Sequence, residues 1–404
     1  MIATNYSDWV KQLKKLAHDS HHRVALVMSG EQSWGQQQAG KIIATLETSS
    51  VLWVSNEIEA ALPATKARSQ LGSEYDAIVF DAYQEFDADA FGAISGTLRG
   101  GGVFIVLIPT EGNWVRGKES RFRQRALALF KHHQASYFLQ QGEPFPVIPT
   151  ENIRVTQQQE WFEPFLTMEQ QQVVETIINN ASSKNPAPIV ITSDRGRGKS
   201  SALGLAAGFL LEQDINNIIV TAPRLTTSEP VFRHARQVLP AAEDERGKLV
   251  YNDNQLKFMA PDALLKQQPE ADLLLVDEAA AIPLPMLEKL LHHYPRIVFS
   301  STIHGYEGTG RGFVLKFNKI LDAFHPGWQQ LTMHTPVRWA ENDPVEQWID
   351  RILCLDAELP EVPIIENILI ENCHINEIDR DTLINDEQQL SCLAGVCALS
   401  YPAF

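Results

Sequence analysis

The stretch TSDRGRGKSSALGLAAG, Thr192–Gly208, decides how the rest of the chain is read. An apolar run, APIVI, leads into it, and a helix rich in Ala and Leu follows it. Between them lies a short loop with two glycines, Gly196 and Gly198. Strand, glycine loop and helix in that order form a phosphate cradle, in which backbone N–H groups and the helix N-terminus face an anion. In this reading Lys199 reaches the β and γ phosphates of a nucleotide and Ser200 holds Mg²⁺. Gly196 and Gly198 let the backbone approach closely. Such loops usually begin with glycine, and here that position is Ser193. Two arginines, Arg195 and Arg197, sit inside the loop.

Further along, ADLLLVDEAAAIP is an apolar strand that ends in Asp277-Glu278. Its carboxylates are expected at the carboxyl end of a neighbouring strand, where ligands sit in parallel sheets. Asp277 is the candidate for Mg²⁺, and Glu278 for orienting or deprotonating the attacking water. Together with the loop, this pair predicts a nucleoside triphosphate hydrolase. RIVFSSTIHGYEGTGRGF follows the next strand. Ser300, Ser301 and Thr302 there either sense the γ-phosphate or form a plain strand exit. GYEGTGRG also invites comparison with an acetyl-CoA pyrophosphate loop, but Gly305 stands where that loop needs Gln or Arg. Upstream, Gln170 in LTMEQQQVVETI either reads an adenine edge through its amide or is a surface glutamine. Arg338 in TPVRWAENDP either stabilises charge on a transferring phosphate or pairs with Glu341 or Asp343.

Strand-like and helix-like runs alternate on both sides of these motifs. VALVMSG, SVLWVSN, DAIVFDA and GGVFIVLIP are the strand candidates of the first 150 or so residues, with helices between them. SGEQSWGQQQAG does not fit a dinucleotide fingerprint, so this α/β domain is expected to carry no nucleotide. The expected organisation is an N-terminal α/β domain at 1–150, a doubly wound helicase-like ATPase domain with a parallel sheet at 151–345, and a more acidic region at 346–404.

The 404 residues are 44% hydrophobic and 21% charged, with a net charge of −16. This balance argues against a protein coated for nonspecific nucleic-acid binding. One basic stretch stands apart, WVRGKESRFRQRALALFKHH, with Arg116, Lys118, Arg121, Arg123, Arg125 and Lys131. It is either a solvated helix face or a contact for RNA. Cys354, Cys373, Cys392 and Cys397 form no C-x-x-C pair, and free thiols are expected. No apolar run is long enough to span a bilayer, and no signal peptide opens the chain, so a cytoplasmic protein is expected.

Taken together, DRGRGKS, VDEAAAIP, GYEGTGRGF, PVRWAENDP and the N-terminal VMSGE…VFDA…SGTL pattern resemble the bacterial tRNA(Met) cytidine acetyltransferase family, TmcA, along nearly the whole chain. The resemblance implies an ATP-dependent, helicase-like module that serves 4-acetylcytidine formation at the wobble position of elongator methionine tRNA. It implies ATP contacts at Gln170, at Gly196, Arg197, Gly198, Lys199, Ser200, Ser201, Ala202, Leu203, Gly204 and Leu205, and at Arg338. It also accounts for Ser193, since the family's loop lacks the first glycine. Acetyl-CoA belongs to full-length members, whose acetyltransferase domain is expected to begin near LSCLAGVCALSYPAF. On that reading the chain alone binds ATP and tRNA without acetylating, with a separately encoded acetyltransferase portion as a candidate partner. The alternatives are a tRNA-docking subunit without significant turnover, or an inert remnant.

Overall fold

The structure, a computed structural model, describes residues 6–116, 120–148, 163–213, 215–303 and 310–355. They divide into two compact units. Among the described residues, the first takes 6–69, 74–148 and 342–355, and the second takes 70–73 and 163–341.

The first unit runs α1 (Tyr6–Ser20), β1 (Val24–Ser29), α2 (Gln32–Leu46), β2 (Val51–Val54), β3 (Tyr75–Asp81), α3 (Ala88–Ser95), β4 (Leu98–Ile108), α4 (Glu111–Trp114), α5 (Ser120–His132) and β5 (Ser136–Gln140). Its five strands are parallel, in the order β2-β3-β4-β1-β5. Alternation of side chains along a strand sorts the core into two layers. Leu26, Met28, Ile105 and Leu107 pack with Trp9 and Leu13 of α1 and Ile42 of α2. Phe104, on the opposite face of β4, stacks on Phe91 of α3.

That second layer also takes a helix from far along the chain. The second unit ends at Glu341, and α12 (Pro344–Leu353) belongs to the first. Trp348 of α12 is fully buried against Phe91, Phe104 and Phe130. The sequence places most of this helix in a third region, from 346; packing places it on the N-terminal sheet. Its hydrophobic face, Val345, Trp348, Ile349 and Ile352, can leave water only against another apolar layer.

One buried ion pair fixes the start of this helix. The Asp343 carboxylate accepts from Arg23 N at 2.7 Å, Nε at 3.1 Å and Nη2 at 2.9 Å, and from the Glu346 N–H at 2.8 Å. Arg23 Nη1 donates to the Ser95 carbonyl at 2.8 Å. Arg23 and Asp343 are 2% and 0% exposed, so neither charge could be left alone without a large desolvation cost.

The second unit runs α6 (Met168–Ala181), β6 (Ile189–Ser193), α7 (Lys199–Glu212), β7 (Asn217–Thr221), α8 (Leu225–Val238), β8 (Glu243–Glu245), β9 (Lys248–Tyr251), β10 (Asn254–Phe258), α9 (Pro261–Gln267), β11 (Leu273–Val276), α10 (Leu284–His293), β12 (Ile297–Thr302), α11 (Gly310–Phe324) and β13 (Gln329–Met333). The strand order is β13-β6-β12-β11-β7-β10-β9-β8. The strands from β13 to β10 are parallel, and β9 and β8 add an antiparallel hairpin edge. Ile191, Val220 and Leu275 pack under α6, α7 and α8; Val190, Ile219 and Val276 pack under α9, α10 and α11. This is the expected doubly wound parallel sheet. No helix among the described residues is long and apolar enough to cross a membrane.

Removing one partner of the Arg23–Asp343 pair leaves a buried charge unpaired. Asp343→Ala is expected to cost ~3–5 kcal/mol in urea unfolding of the first unit, and the paired change Arg23→Met with Asp343→Leu much less. A loss under ~1 kcal/mol for Asp343→Ala would show that the pair does not anchor α12.

Candidate nucleotide site

The site of the second unit lies where β6, β12 and β11 end. The strand carrying Asp277-Glu278 is not the direct neighbour of the loop strand, because β12 lies between them. Ser300 and Thr302, two apart on β12, share a face and stand between the loop and the carboxylates. Register places Thr302 opposite Ser193.

Gly196 and Gly198 take the left-handed region, at φ +73° and +84°. A Cβ at Gly196 would come within 2.8 Å of the Trp339 ring, and one at Gly198 within 3.1 Å of Gln170 Nε2. Both positions therefore need glycine for conformation and for space. Gly198 is also the N-cap of α7 and offers no side chain to the first-turn N–H groups. The loop thus turns a helix N-terminus, free of any side-chain cap, toward the ends of the strands, as an anion requires.

Lys199 is buried, and its Nζ donates to Ser193 Oγ at 2.9 Å, to Thr302 Oγ1 at 3.0 Å and to the Asp194 carbonyl at 3.3 Å. Ser193, the missing glycine of the motif, is thus a direct partner of the lysine. Burial pushes the Lys199 ammonium below its ordinary pKa, against the pull of Glu278 and Asp277. Asp277 is buried as well. Its Oδ1 accepts from Ser300 Oγ at 2.5 Å and from the Glu278 N–H at 3.1 Å. Its Oδ2 is buried without a hydrogen-bond partner. Burial, and then the charge of Glu278, raise its pKa to about 6, while the Ser300 and Ser200 hydroxyls and Lys199 draw it down. A buried carboxylate oxygen with no donor, close to a serine hydroxyl, suits a hard cation, and Mg²⁺ held by Asp277 and Ser200 fits this donor set. Half-buried Glu278 takes a left-handed backbone at φ 50°, and its carboxylate lies 3.4 Å from Thr302 Oγ1. Thr302 therefore touches both the lysine and the glutamate.

Gln170 is not a surface glutamine. It is 0% exposed; its Oε1 accepts from the Leu166 N–H at 2.8 Å, and its Nε2 donates to Ser201 Oγ at 3.1 Å. Thr167 caps α6 by accepting from the Gln170 N–H at 3.0 Å. The T-x-x-Q pattern is that of a capping box, a signal present in the sequence. Arg197 is also spent on protein: its Nε donates to the His334 carbonyl and its Nη1 to that of Arg195, both at 2.8 Å. Ala202, Leu203 and Leu205 face the core, and a Cβ at Gly204 would lie 2.3 Å from the Val231 carbonyl on α8. Of the expected stretch, Gly196–Ser201 forms the loop and the first turn of α7, and 202–205 packs that helix in place. Arg338 is half-buried between Val337, whose N–H donates to the Gly196 carbonyl at 2.9 Å, and Trp339. Asp343, one of its two expected acidic partners, is taken by Arg23. Trp339 and Glu169, which holds the chain just before Arg338, were not visible as site residues in the sequence.

The basic stretch expected to meet RNA is largely spent within the first unit. Arg125 donates to the Ile352 carbonyl at 2.9 Å and to that of Arg351, closing the end of α12. Arg123 lies 5.3 Å over the Trp114 ring, Lys131 pairs with Glu111 at 2.9 Å, and Arg116 donates to Asn113 Oδ1 at 3.2 Å. Lys118 and the loop 304–309 lie outside the described residues, as do Cys373, Cys392 and Cys397.

A carboxyl whose pKa is raised on folding contributes stability that is present below its ordinary value of 3.8 and is lost as pH rises through about 6. Asp277→Asn should therefore raise the melting temperature of the nucleotide-free protein at roughly pH 7.5 and leave it nearly unchanged at roughly pH 4. A variant no more stable than the parent at the higher pH would contradict the burial cost assigned to Asp277.

Two family models match the chain. One is the helicase domain of RNA cytidine acetyltransferase NAT10/TcmA, over residues 190–356, and the other is the N-terminal region of tRNA(Met) cytidine acetyltransferase TmcA, over residues 1–141. The TmcA of Nitrosococcus halophilus is 40% identical over 95% of this chain and 55% of its own length. That of Vibrio cholerae serotype O1 is 36% identical over 90% of this chain and 50% of its own. The chain thus spans about half the length of these curated relatives. Among solved structures, the large terminase of a thermophilic bacteriophage matches over 44% of this chain and 47% of its own, at 13% identity and a TM-score of 0.34, too low to bear on function. The motifs DRGRGKS and VDEAAAIP fall inside the helicase match, and curated relatives follow the chain through both regions: the chain belongs to the tRNA(Met) cytidine acetyltransferase TmcA family.

Proposed function

We propose that this chain is the ATP-hydrolysing, tRNA-binding module that serves 4-acetylcytidine formation at the wobble position of elongator tRNA(Met). The observation that carries this reading is the buried Lys199 ammonium, set in a glycine cradle and facing two carboxylates across Thr302. Its hydrogen-bond partners are neutral oxygens, and a nucleotide's phosphates would give it charged acceptors in their place. Ser193 and Thr302 hold Lys199 until phosphate oxygens replace them. Gly196–Ser201 present backbone N–H groups to the phosphates, and Ser200 with Asp277 would hold Mg²⁺, which would neutralise phosphate charge. Glu278 orients the attacking water, and Arg338 meets charge developing on the transferred phosphate. Acetyl-CoA would bind an acetyltransferase portion, as in full-length members of the family, and would supply the acetyl group there. The cytoplasm, where tRNA is modified, is the fitting location.

Phosphate release should be measured with and without elongator methionine tRNA. The expected result is turnover that rises with tRNA and falls by at least ~100-fold in Lys199→Ala, which removes the charge facing the phosphates. A Lys199→Ala variant as active as the parent would overturn the assignment. Binding of ATP and tRNA with no turnover in the parent would leave a docking module in its place.

A further inference from the structure

The loop does not hold its shape alone. The chain leaving β13 crosses it and is fastened at four points. The Glu169 carboxylate, in the first turn of α6, accepts from two consecutive backbone N–H groups through one oxygen, His334 at 2.7 Å and Thr335 at 2.8 Å. Arg197 donates to the His334 carbonyl at 2.8 Å. The Val337 N–H donates to the Gly196 carbonyl at 2.9 Å, and the Trp339 ring lies where a Gly196 side chain would be. Arg338 sits between the last two of these points.

Each fastening has a physical reason. Beyond β13 the backbone of 334 and 335 no longer has a ladder partner, so its N–H groups need acceptors. A carboxylate serves two donors better than a neutral oxygen would, because charge-assisted hydrogen bonds are shorter and stronger. Glu169 is also well placed on α6, since an acidic side chain in a first turn suits the helix dipole. Gln170, one residue on, ties the same turn to Ser201. The first turn of α6 therefore grips the phosphate loop's helix with one side chain and the chain carrying Arg338 with the next.

We propose that Glu169 is a positioning residue for ATP hydrolysis: by fastening His334 and Thr335 it sets Arg338 in register with the phosphates. The inference rests on the ATPase reading above. A group acting on charge that develops during transfer must be placed to within a fraction of an ångström, and its misplacement lowers kcat more than it raises KM. Glu169 reaches the reaction only through backbone, so its effect passes through Arg338.

The test compares the parent, Glu169→Ala, Arg338→Ala and the double variant. Glu169→Ala should lower kcat by roughly tenfold or more with KM changed less than about threefold. In the Arg338→Ala background the same change should cost little more, since both remove one function. Glu169→Gln, whose amide oxygen can still accept both N–H groups, should recover most of the loss. Thermal melts identify a variant that merely fails to fold, in which case Glu169→Gln is compared with Glu169→Leu. Independent, multiplying effects of Glu169→Ala and Arg338→Ala would overturn the proposal, as would a loss confined to KM. If the parent shows no turnover, the ATPase reading fails by itself. The clasp is then judged by hydrogen exchange at the His334 and Thr335 amides: protection in the parent that vanishes in Glu169→Ala upholds it, and equal exchange in both refutes it.

Discussion

An ammonium group buried at the ends of the strands dictates the layout of the second unit. Lys199 needs acceptors on several sides, and no single segment of chain can supply them. Ser193 comes from the end of β6, Thr302 from the end of β12, and the opposing charges of Asp277 and Glu278 from the end of β11. Only a parallel sheet brings the carboxyl ends of three strands to one edge. The order β6-β12-β11 then matters chemically, because hydroxyls stand between cation and carboxylates. A direct lysine–aspartate pair would satisfy both charges and leave little for a ligand. Here Asp277 keeps a buried oxygen without a donor, and its pKa is raised. Charge is held apart at a cost that a phosphate and a metal ion would relieve.

The buried ion pair of the first unit obeys the opposite rule. Arg23 and Asp343 meet directly, and each is nearly saturated with hydrogen bonds. Nothing is left for a ligand, and the pair reads as an anchor for α12. Among these two buried sets of charge, the one left incomplete is the one set in a glycine cradle. Incomplete satisfaction therefore separates a candidate site from a structural lock more clearly than residue type does.

Much of this was legible in the sequence, and for identifiable reasons. Strands buried on both faces, such as VALVMS and IVITS, are continuous apolar runs, and β1, β3, β4, β6, β7, β11 and β12 announce themselves so; β2, buried on one face, and β13, the mostly exposed QQLTM, are strand candidates without that signature. The hairpin of β9 and β10 did not announce itself, because its apolar residues alternate with lysine, asparagine and glutamine. Nor did β5, whose five residues are mostly half-buried. Strand order is a property of the sheet and not of the chain, so the place of β12 between loop and carboxylates was hidden. The basic run of α5 left open a solvated face or an RNA contact, and two of its arginines have structural work that charge did not announce: Arg125 caps α12 and Arg123 covers Trp114. Gln170 in TMEQ could equally be read as a glutamine on a surface helix. The capping pattern of Thr167 and Gln170 was there to be seen, while the reach of Glu169 to the far end of β13 spans 165 residues of chain and could not be.

On the proposed function, Lys199 exchanges protein oxygens for phosphate oxygens when ATP binds. A crystal structure of this chain with Mg²⁺ and a non-hydrolysable ATP analogue should then show Lys199 Nζ on a β- or γ-phosphate oxygen, displaced from Ser193 and Thr302, with the backbone of Gly196–Ser201 around the phosphates and the metal ion at Ser200 and Asp277. A nucleotide bound elsewhere, or a Lys199 still on Ser193 and Thr302 with the analogue in place, would contradict it.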